Sequence, residues 1–212
     1  MNKEEFLEEL EKINIFLTNE QLYQLEKFYI LLLEWNKKIN LTRITDKEEV
    51  YLKHFYDSLT IVKSVDLMTK KTLCDVGSGA GFPGIVLKIV FPHLKITLLD
   101  SRNKRIIYLN NIIKQLGLNN IEAVHTRSED YNNKFDIITA RAVASLDKLV
   151  EWCSHLVSTN GQLIAMKANI EQELANSEKL LKKYKCKISK IVTFTLPKEN
   201  SLRNLVVIEK MN

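Results

Sequence analysis

The sequence predicts an α/β protein: a seven-stranded, mainly parallel sheet with helices on both faces, closed by an antiparallel hairpin and preceded by a helical N-terminal extension. Three observations carry this. From Thr72 onward, short β-rich runs alternate with helical stretches, the pattern that builds parallel sheets. The first run, Leu73-Cys74-Asp75-Val76, feeds directly into a turn of alternating glycines, Gly77-Ser78-Gly79-Ala80-Gly81. The last two runs, 186–195 and 203–210, are separated by Leu196-Pro197-Lys198-Glu199-Asn200 and read as a hairpin.

The elements follow in order. Phe6, Leu7, Leu10 and Ile13 recur at helical spacing over residues 3–13. Thr18, with Gln21 at the capping-box position, opens a second helix reaching about Lys38, with Leu22, Leu25, Phe28, Tyr29, Leu32 and Leu33 along one side. Asp46 starts another helical segment through Val50, Leu52 and Phe55, and a short helix follows around Leu59 to Val65. Residues 1–65 therefore read as a helical subdomain and 66–212 as the sheet domain. Strands are expected at 72–76, 95–100, 121–125, 135–140 and 161–167. Helices are expected at 83–91, 102–116, 145–157 and 170–184, with Gly117 as a C-cap.

A glycine turn after the first strand, with an acid (Asp100) ending the second, is how α/β folds hold an adenosine-containing cofactor. The spacing does not fit the dinucleotide fingerprint, whose third glycine would fall at Phe82. A pyrophosphate favours free helix N–H groups and disfavours a nearby carboxylate, yet Asp75 precedes the turn and Pro83 removes a donor. S-adenosylmethionine carries a sulfonium and an ammonium, which Asp75 suits directly or through water. Asp100 is positioned to take the ribose hydroxyls. An NAD-dependent oxidoreductase is the runner-up, disfavoured by the missing glycine. A cofactor-bound RNA-binding protein without catalysis is the other class.

Charge is uneven. The first 50 residues hold 7 Lys and Arg against 11 Asp and Glu, and the remainder hold 24 against 15. A basic main domain is compatible with nucleic acid. No apolar run is long enough for a membrane span, and the polar start Met1-Asn2-Lys3-Glu4-Glu5 is not a signal peptide. The three scattered cysteines read as reduced thiols in a cytoplasmic protein, and the four histidines lack metal-ligand spacing. No metal is expected, and a monomer is the default.

Five further segments matter. Trp35-Asn36-Lys37-Lys38-Ile39-Asn40-Leu41-Thr42 is either a helix end with a tucked Trp or a surface that helps hold substrate. His54 and Asp57-Ser58 read as a local pair fixing one helix to the next. Ser128 and Glu129 follow the third strand, where a carboxylate and backbone groups can read an adenine amino group. Arg141, among small residues after the fourth strand, has room to clamp the methionine carboxylate or a substrate phosphate. Arg102 to Arg105, the run Lys182-Lys183-Tyr184-Lys185-Cys186-Lys187, Lys167 and Arg203 supply basic surface.

These segments together resemble one family. Trp35-Asn36-Lys37 with Asn40-Leu41-Thr42, His54-x-x-Asp57-Ser58, the run Asp75 to Gly84, Leu98-Leu99-Asp100-Ser101, Arg141-Ala142-Val143-Ala144-Ser145, Met166-Lys167 and Arg203-Asn204-Leu205 are similar to the RsmG family, also called glucose-inhibited division protein B. The resemblance implies a class I S-adenosylmethionine-dependent methyltransferase with a Rossmann-like sheet. It further implies that the substrate is 16S rRNA, or the small ribosomal subunit in assembly, methylated at N7 of one guanine. Gly77, Phe82, Ser128, Glu129 and Arg141 should line the cofactor pocket, with Asp75, Gly79 and Asp100 beside them. Guanine N7 carries a lone pair and no proton, so no general base is expected and no catalytic residue is singled out. Phe82 and Tyr108 are candidates for stacking on the base. Ala168 stands where the family often has glycine after the strand-five lysine, which puts the shape of that loop in question.

Overall fold

The structure, a computed structural model, describes residues 1–211. One sheet of seven strands runs in the order β3-β2-β1-β4-β5-β7-β6. Its strands are β1 (Thr72–Val76), β2 (Lys95–Asp100), β3 (Ile121–His125), β4 (Phe135–Arg141), β5 (Val157–Lys167), β6 (Cys186–Thr195) and β7 (Leu202–Lys210). The first five pair in parallel, whereas β7 is antiparallel to both β5 and β6. The chain reverses direction across the sheet between β1 and β4, so the C-terminal ends of those strands flank the crevice where open α/β sheets bind ligands.

The helical extension comprises α1 (Lys3–Glu11), α2 (Asn19–Ile39), α3 (Lys47–Val50), a π-helical turn (Tyr51–Tyr56), α4 (Asp57–Leu59) and a 3₁₀ turn (Thr60–Lys63). Both long helices start with capping boxes, Asn2 with Glu5 and Thr18 with Gln21, which satisfy orphan backbone donors reciprocally. Helix α2 ends at Asn40, whose φ of 47° places it in the left-handed region. Within the sheet domain lie α5 (Gly84–Val90), α6 (Asn103–Gln115), α7 (Leu146–Cys153) and α8 (Glu171–Lys183).

The sheet divides the core in two. On one face, Leu73, Ile85, Leu98 and Leu109 share a single hydrophobic cluster with Phe6, Leu25, Phe28 and Phe55 of the helical extension. On the other, Cys74, Leu163 and Val206 pack with Leu149 and Val150 of α7 and Leu181 of α8. Strand alternation sends neighbouring side chains to opposite faces. Leu73 accordingly lies in the first cluster and Cys74 in the second.

Two boundaries differ from expectation. The helix expected over 145–157 stops at Cys153, a 3₁₀ turn covers Ser154–Leu156, and β5 begins at Val157. The polar run Ser158-Thr159-Asn160 looks like a loop in sequence. It is carried as an irregularity, since β4 pairs Phe135 with Val157 and then Ile137 with Gln162.

Candidate functional site

The glycine turn links β1 to α5 through bonds it makes with its own neighbours. Gly77 has φ 66°, and a Cβ there would lie 2.7 Å from Val143 Cγ2. Ser78 N donates to Leu99 O (3.0 Å), and Gly79 N donates to Asp100 Oδ2 (2.9 Å). Tyr108 donates from its hydroxyl to Ala80 O (3.1 Å). Tyr108 is fully buried, so the expectation that it stacks on a base is overturned; it holds the turn from below. Trp35 sits edge-on to Tyr108 at 5.7 Å and donates from Nε1 to Asn111 Oδ1 (3.1 Å), which makes it the tucked residue of a helix end.

Two cavities open at the C-terminal ends of the strands and meet at Gly77. The first, of about 320 Å³, has walls from Val76, Leu99, Val143 and Trp152, with Asp100, Ser128 and Glu129 among its polar groups, beside Ser101, Thr126 and Arg127. Ser128 Oγ donates to Glu129 Oε2 (2.9 Å), and Glu129 is exposed, leaving Oε1 available to an incoming donor. Asp100 is more committed than the sequence suggests. Its Oδ2 accepts from Gly79 N and Arg105 Nη1 (3.1 Å), and its Oδ1 accepts from Arg102 N (2.9 Å). A carboxylate has about four acceptor sites, so further capacity remains on Asp100.

The second cavity, of about 630 Å³, lies between the glycine turn, the helical extension and the ends of β4, β5 and β7. Gly79, Phe82 and Arg141 line it. Gly79 has φ 57°, and a Cβ there would meet only Gly77 O at 3.6 Å and Arg105 at 3.8 Å or beyond.

Arg141 is the hub of this second cavity. Its Nη1 donates to Asp57 Oδ2 (2.9 Å) and to Lys53 O (2.9 Å). Its Nη2 lies 3.2 Å from His54 Nδ1, and its guanidinium sits 5.3 Å from the centre of the Phe82 ring. Phe82 also stacks on His54 at 4.4 Å and 21°. Asp57 Oδ1 accepts from Arg203 Nε (3.1 Å), so one nearly buried carboxylate joins two arginines from two strands. The expected local pair of His54 with Asp57-Ser58 holds in part: Ser58 Oγ donates to the His54 carbonyl (2.5 Å), whereas the Asp57 carboxylate is connected to the imidazole through Arg141. Burial, reinforced by the Arg141 charge, lowers the His54 pKa to about 3, and the imidazole is neutral near pH 7. Thr42 Oγ1 lies 3.0 Å from His54 Nε2. Thr42 is held in turn by Asn36, whose Oδ1 accepts from Leu41 N (2.6 Å) and Thr42 N (2.9 Å).

Asp75 departs from its expected place. It is fully buried and lines neither cavity. Its Oδ2 accepts from Gly84 N (3.0 Å) and its Oδ1 from Thr139 Oγ1 (3.1 Å). Its carboxyl serves the start of α5 in place of a ligand's cationic end, and burial raises its pKa to about 6. Sequence reasoning passed over Asp57 as a ligand of Arg141 and over the partnership of Arg203 with it. These contacts span 84 and 146 residues, and no local pattern signals them. Ala168 lines the second cavity, and its carbonyl accepts from Asn204 Nδ2 (2.7 Å).

The sheet order with its terminal antiparallel hairpin, and a crevice fed by a glycine turn, define a class I methyltransferase fold. Solved structures agree at the level of fold. A ribosomal protein L11 methylase from Lactobacillus delbrueckii superposes with a TM-score of 0.56 at 19% identity, over 75% of this chain and 79% of that one. A SAM-dependent methyltransferase from Aquifex aeolicus gives 0.57 at 20% identity, over 77% and 93%. Sequence comparison goes further: residues 21–205 match the GidB family, rRNA small subunit methyltransferase G. The ribosomal RNA small subunit methyltransferase G of Bacillus licheniformis is 47% identical over all of this chain and 92% of that protein. The protein of the same name from Bacillus subtilis is also 47% identical, over 100% and 91%. The chain belongs to the rRNA small subunit methyltransferase G family.

Proposed function

We propose that this protein transfers the methyl group of S-adenosylmethionine to N7 of a guanine in 16S rRNA, acting as a cytoplasmic monomer. The observation that carries the reading is the pair of cavities meeting at Gly77, one suited to an adenosine and the other rimmed by cations.

The residues present fit the methyl donor. Val76, Leu99 and Val143 offer apolar contact to an adenine, and Glu129 Oε1 can accept from its amino group. Asp100 would use its remaining acceptor capacity on the ribose hydroxyls. Gly77 lines both cavities, and in the second Arg141 can receive a carboxylate. When bound, S-adenosylmethionine supplies an electrophilic methyl group on a sulfonium.

Guanine N7 attacks with its own lone pair, so the protein needs to remove no proton. A neutral, buried His54 accords with that. The work left to the chain is alignment and exclusion of water, from which much of an enzymatic rate can come. The Phe82–His54–Arg141 stack forms one rigid wall of the second cavity.

The experiment is transfer of labelled methyl from S-adenosylmethionine to 16S rRNA and to small subunits, with the modified base mapped. Calorimetric titration runs beside it, with NAD as the control ligand. Saturable S-adenosylmethionine binding and label on one guanine N7 are expected. Arg141→Ala should lose most binding or turnover, and near-normal values for both would remove its assigned role.

A further inference from the structure

Five cations line the second cavity, Lys53, Arg105, Arg141, Lys167 and Arg203, against a single carboxylate, Asp57. They are not equivalent. Arg105 is tied to the buried carboxylate of Asp100, and Arg141 is held on Asp57, Lys53 O and His54. Lys167 reaches the Ala144 carbonyl and pairs with Glu173 at 2.8 Å. Lys53 and Arg203 differ. Lys53 Nζ pairs with Glu49 (2.6 Å) and Glu199 (2.8 Å), whose side chains are 46% and 33% exposed. Arg203 uses Nε on Asp57 and Nη1 on Leu202 O, which leaves Nη2 unengaged among the described residues. Ion pairs with exposed partners are weak in water, so a stronger anion displaces them at little cost.

The positions of the two residues matter as much. Lys53 belongs to the π-helical turn and Arg203 to the start of β7. Both flank Asp57 at the seam between the helical extension and the terminal hairpin, and both line the cavity beyond Arg141. The lysine run at 182–187 lies elsewhere. It leads into the start of β6, a strand parallel to β5, and therefore sits at the end of the sheet away from the cavities. An ammonium and a guanidinium offer only donors, and their natural partner is an anionic oxygen.

We propose that Lys53 and Arg203 hold backbone phosphates of the RNA strand that presents the target guanosine, with Glu199 displaced from Lys53 when the strand enters. This rests on the functional reading above and goes beyond it by naming the RNA contact. It also assigns the lysine run no share in substrate binding.

The test uses the full chain with Lys53→Gln, Arg203→Gln and the double variant. Lys183→Gln/Lys185→Gln is the control and Arg203→Lys the conservative rescue. Glutamine at 53 keeps the backbone carbonyl that Arg141 needs. Methyl transfer to 16S rRNA gives the KM for RNA, calorimetry gives S-adenosylmethionine affinity, and filter binding of the same RNA reads the contact without catalysis.

The double variant is expected to raise the KM for RNA about tenfold and to flatten the log–log salt dependence of RNA binding by roughly one per lost contact. S-adenosylmethionine affinity should hold, Arg203→Lys should recover most of the loss, and the lysine-run variant should match wild type. An unchanged salt slope in the double variant overturns the proposal. So does a parallel loss of S-adenosylmethionine affinity, or a defect seen on assembled subunits and absent on naked RNA, which would assign the residues to a ribosomal protein. Wild-type protein that binds RNA through these residues yet methylates nothing would sink the functional reading and leave the contact standing.

Discussion

The two cavities are built by different means. The first is made from strand ends and the loops that follow them: Val76 at the end of β1 and Gly77 after it, Asp100 at the end of β2, and Ser128 and Glu129 after β3. Each residue reaches it through the local geometry of its own βα unit. The second is made by ties between distant segments, with Asp57 of the helical extension held by Arg141 of β4 and Arg203 of β7. A cavity of the first kind depends on backbone conformation, and one of the second kind on charges staying paired. The difference predicts how each will break.

The largest effect should come from removing residues 1–65. We propose that this segment and residues 66–212 fold as one unit, because Phe6, Leu25, Phe28 and Phe55 share a cluster with Ile85 and Leu98. A chain starting at residue 66 would expose that face and should show no cooperative thermal transition. A sharp transition in the fragment would make the second cavity a contact between independent units.

Asp57→Ala comes next. It leaves two arginines around an emptied, nearly buried site. Breaking such a pair typically costs 3–5 kcal/mol, and partial solvent access of both arginines argues for about 3 kcal/mol in urea denaturation. Gly77→Ala should cost less, about 1–2 kcal/mol from the left-handed backbone. It should also weaken S-adenosylmethionine binding by about an order of magnitude, since Val143 must shift and the two cavities meet there. Equal stability losses from Asp57→Ala and Gly77→Ala would erase the contrast.

Acid titration sharpens it further. The folded pKa of His54 is lowered from 6.5 to about 3. The unfolded chain therefore binds that proton first, and His54 makes stability fall as pH drops from 6.5 toward 3. Asp75 is raised from 3.8 to about 6, so the folded chain binds its proton first and stability rises as pH drops from 6 toward 4. The two oppose each other. His54→Asn should flatten the acid-side loss, and Asp75→Asn, which keeps an acceptor for Gly84 N, should steepen it; stability curves against pH read both. The smallest effect belongs to Glu129→Gln, which should weaken S-adenosylmethionine binding several-fold and leave unfolding unchanged, because its side chain is exposed.

The same contrast explains what could be read in advance. Strand periodicity and the glycine turn are local signals, and β1, β2, β3 and the terminal hairpin lie within a residue of their expected bounds. The first cavity follows from them because strand ends share one side of the sheet. The π-helical turn at Tyr51–Tyr56 has no sequence pattern distinct from an α-helix, so the direction of Lys53 and His54 could not be derived. Asp75 misled for a related reason. An acid beside a ligand turn and an acid capping the next helix occupy the same sequence position, and only burial separates them. Tyr108 looked available as an aromatic on α6 and proved to be a strut.

The placement of β7 also bears on the order of synthesis. Strand β7 inserts between β5 and β6, both of which precede it in the chain. As the polypeptide emerges from its N-terminus, Asp57 and Arg141 appear long before Arg203. Until β7 arrives, β5 keeps an open edge, the kind that recruits foreign strands. One wall of the second cavity is missing for as long. A nascent chain thus contains every residue lining the first cavity before Arg203, which closes the second, has been made.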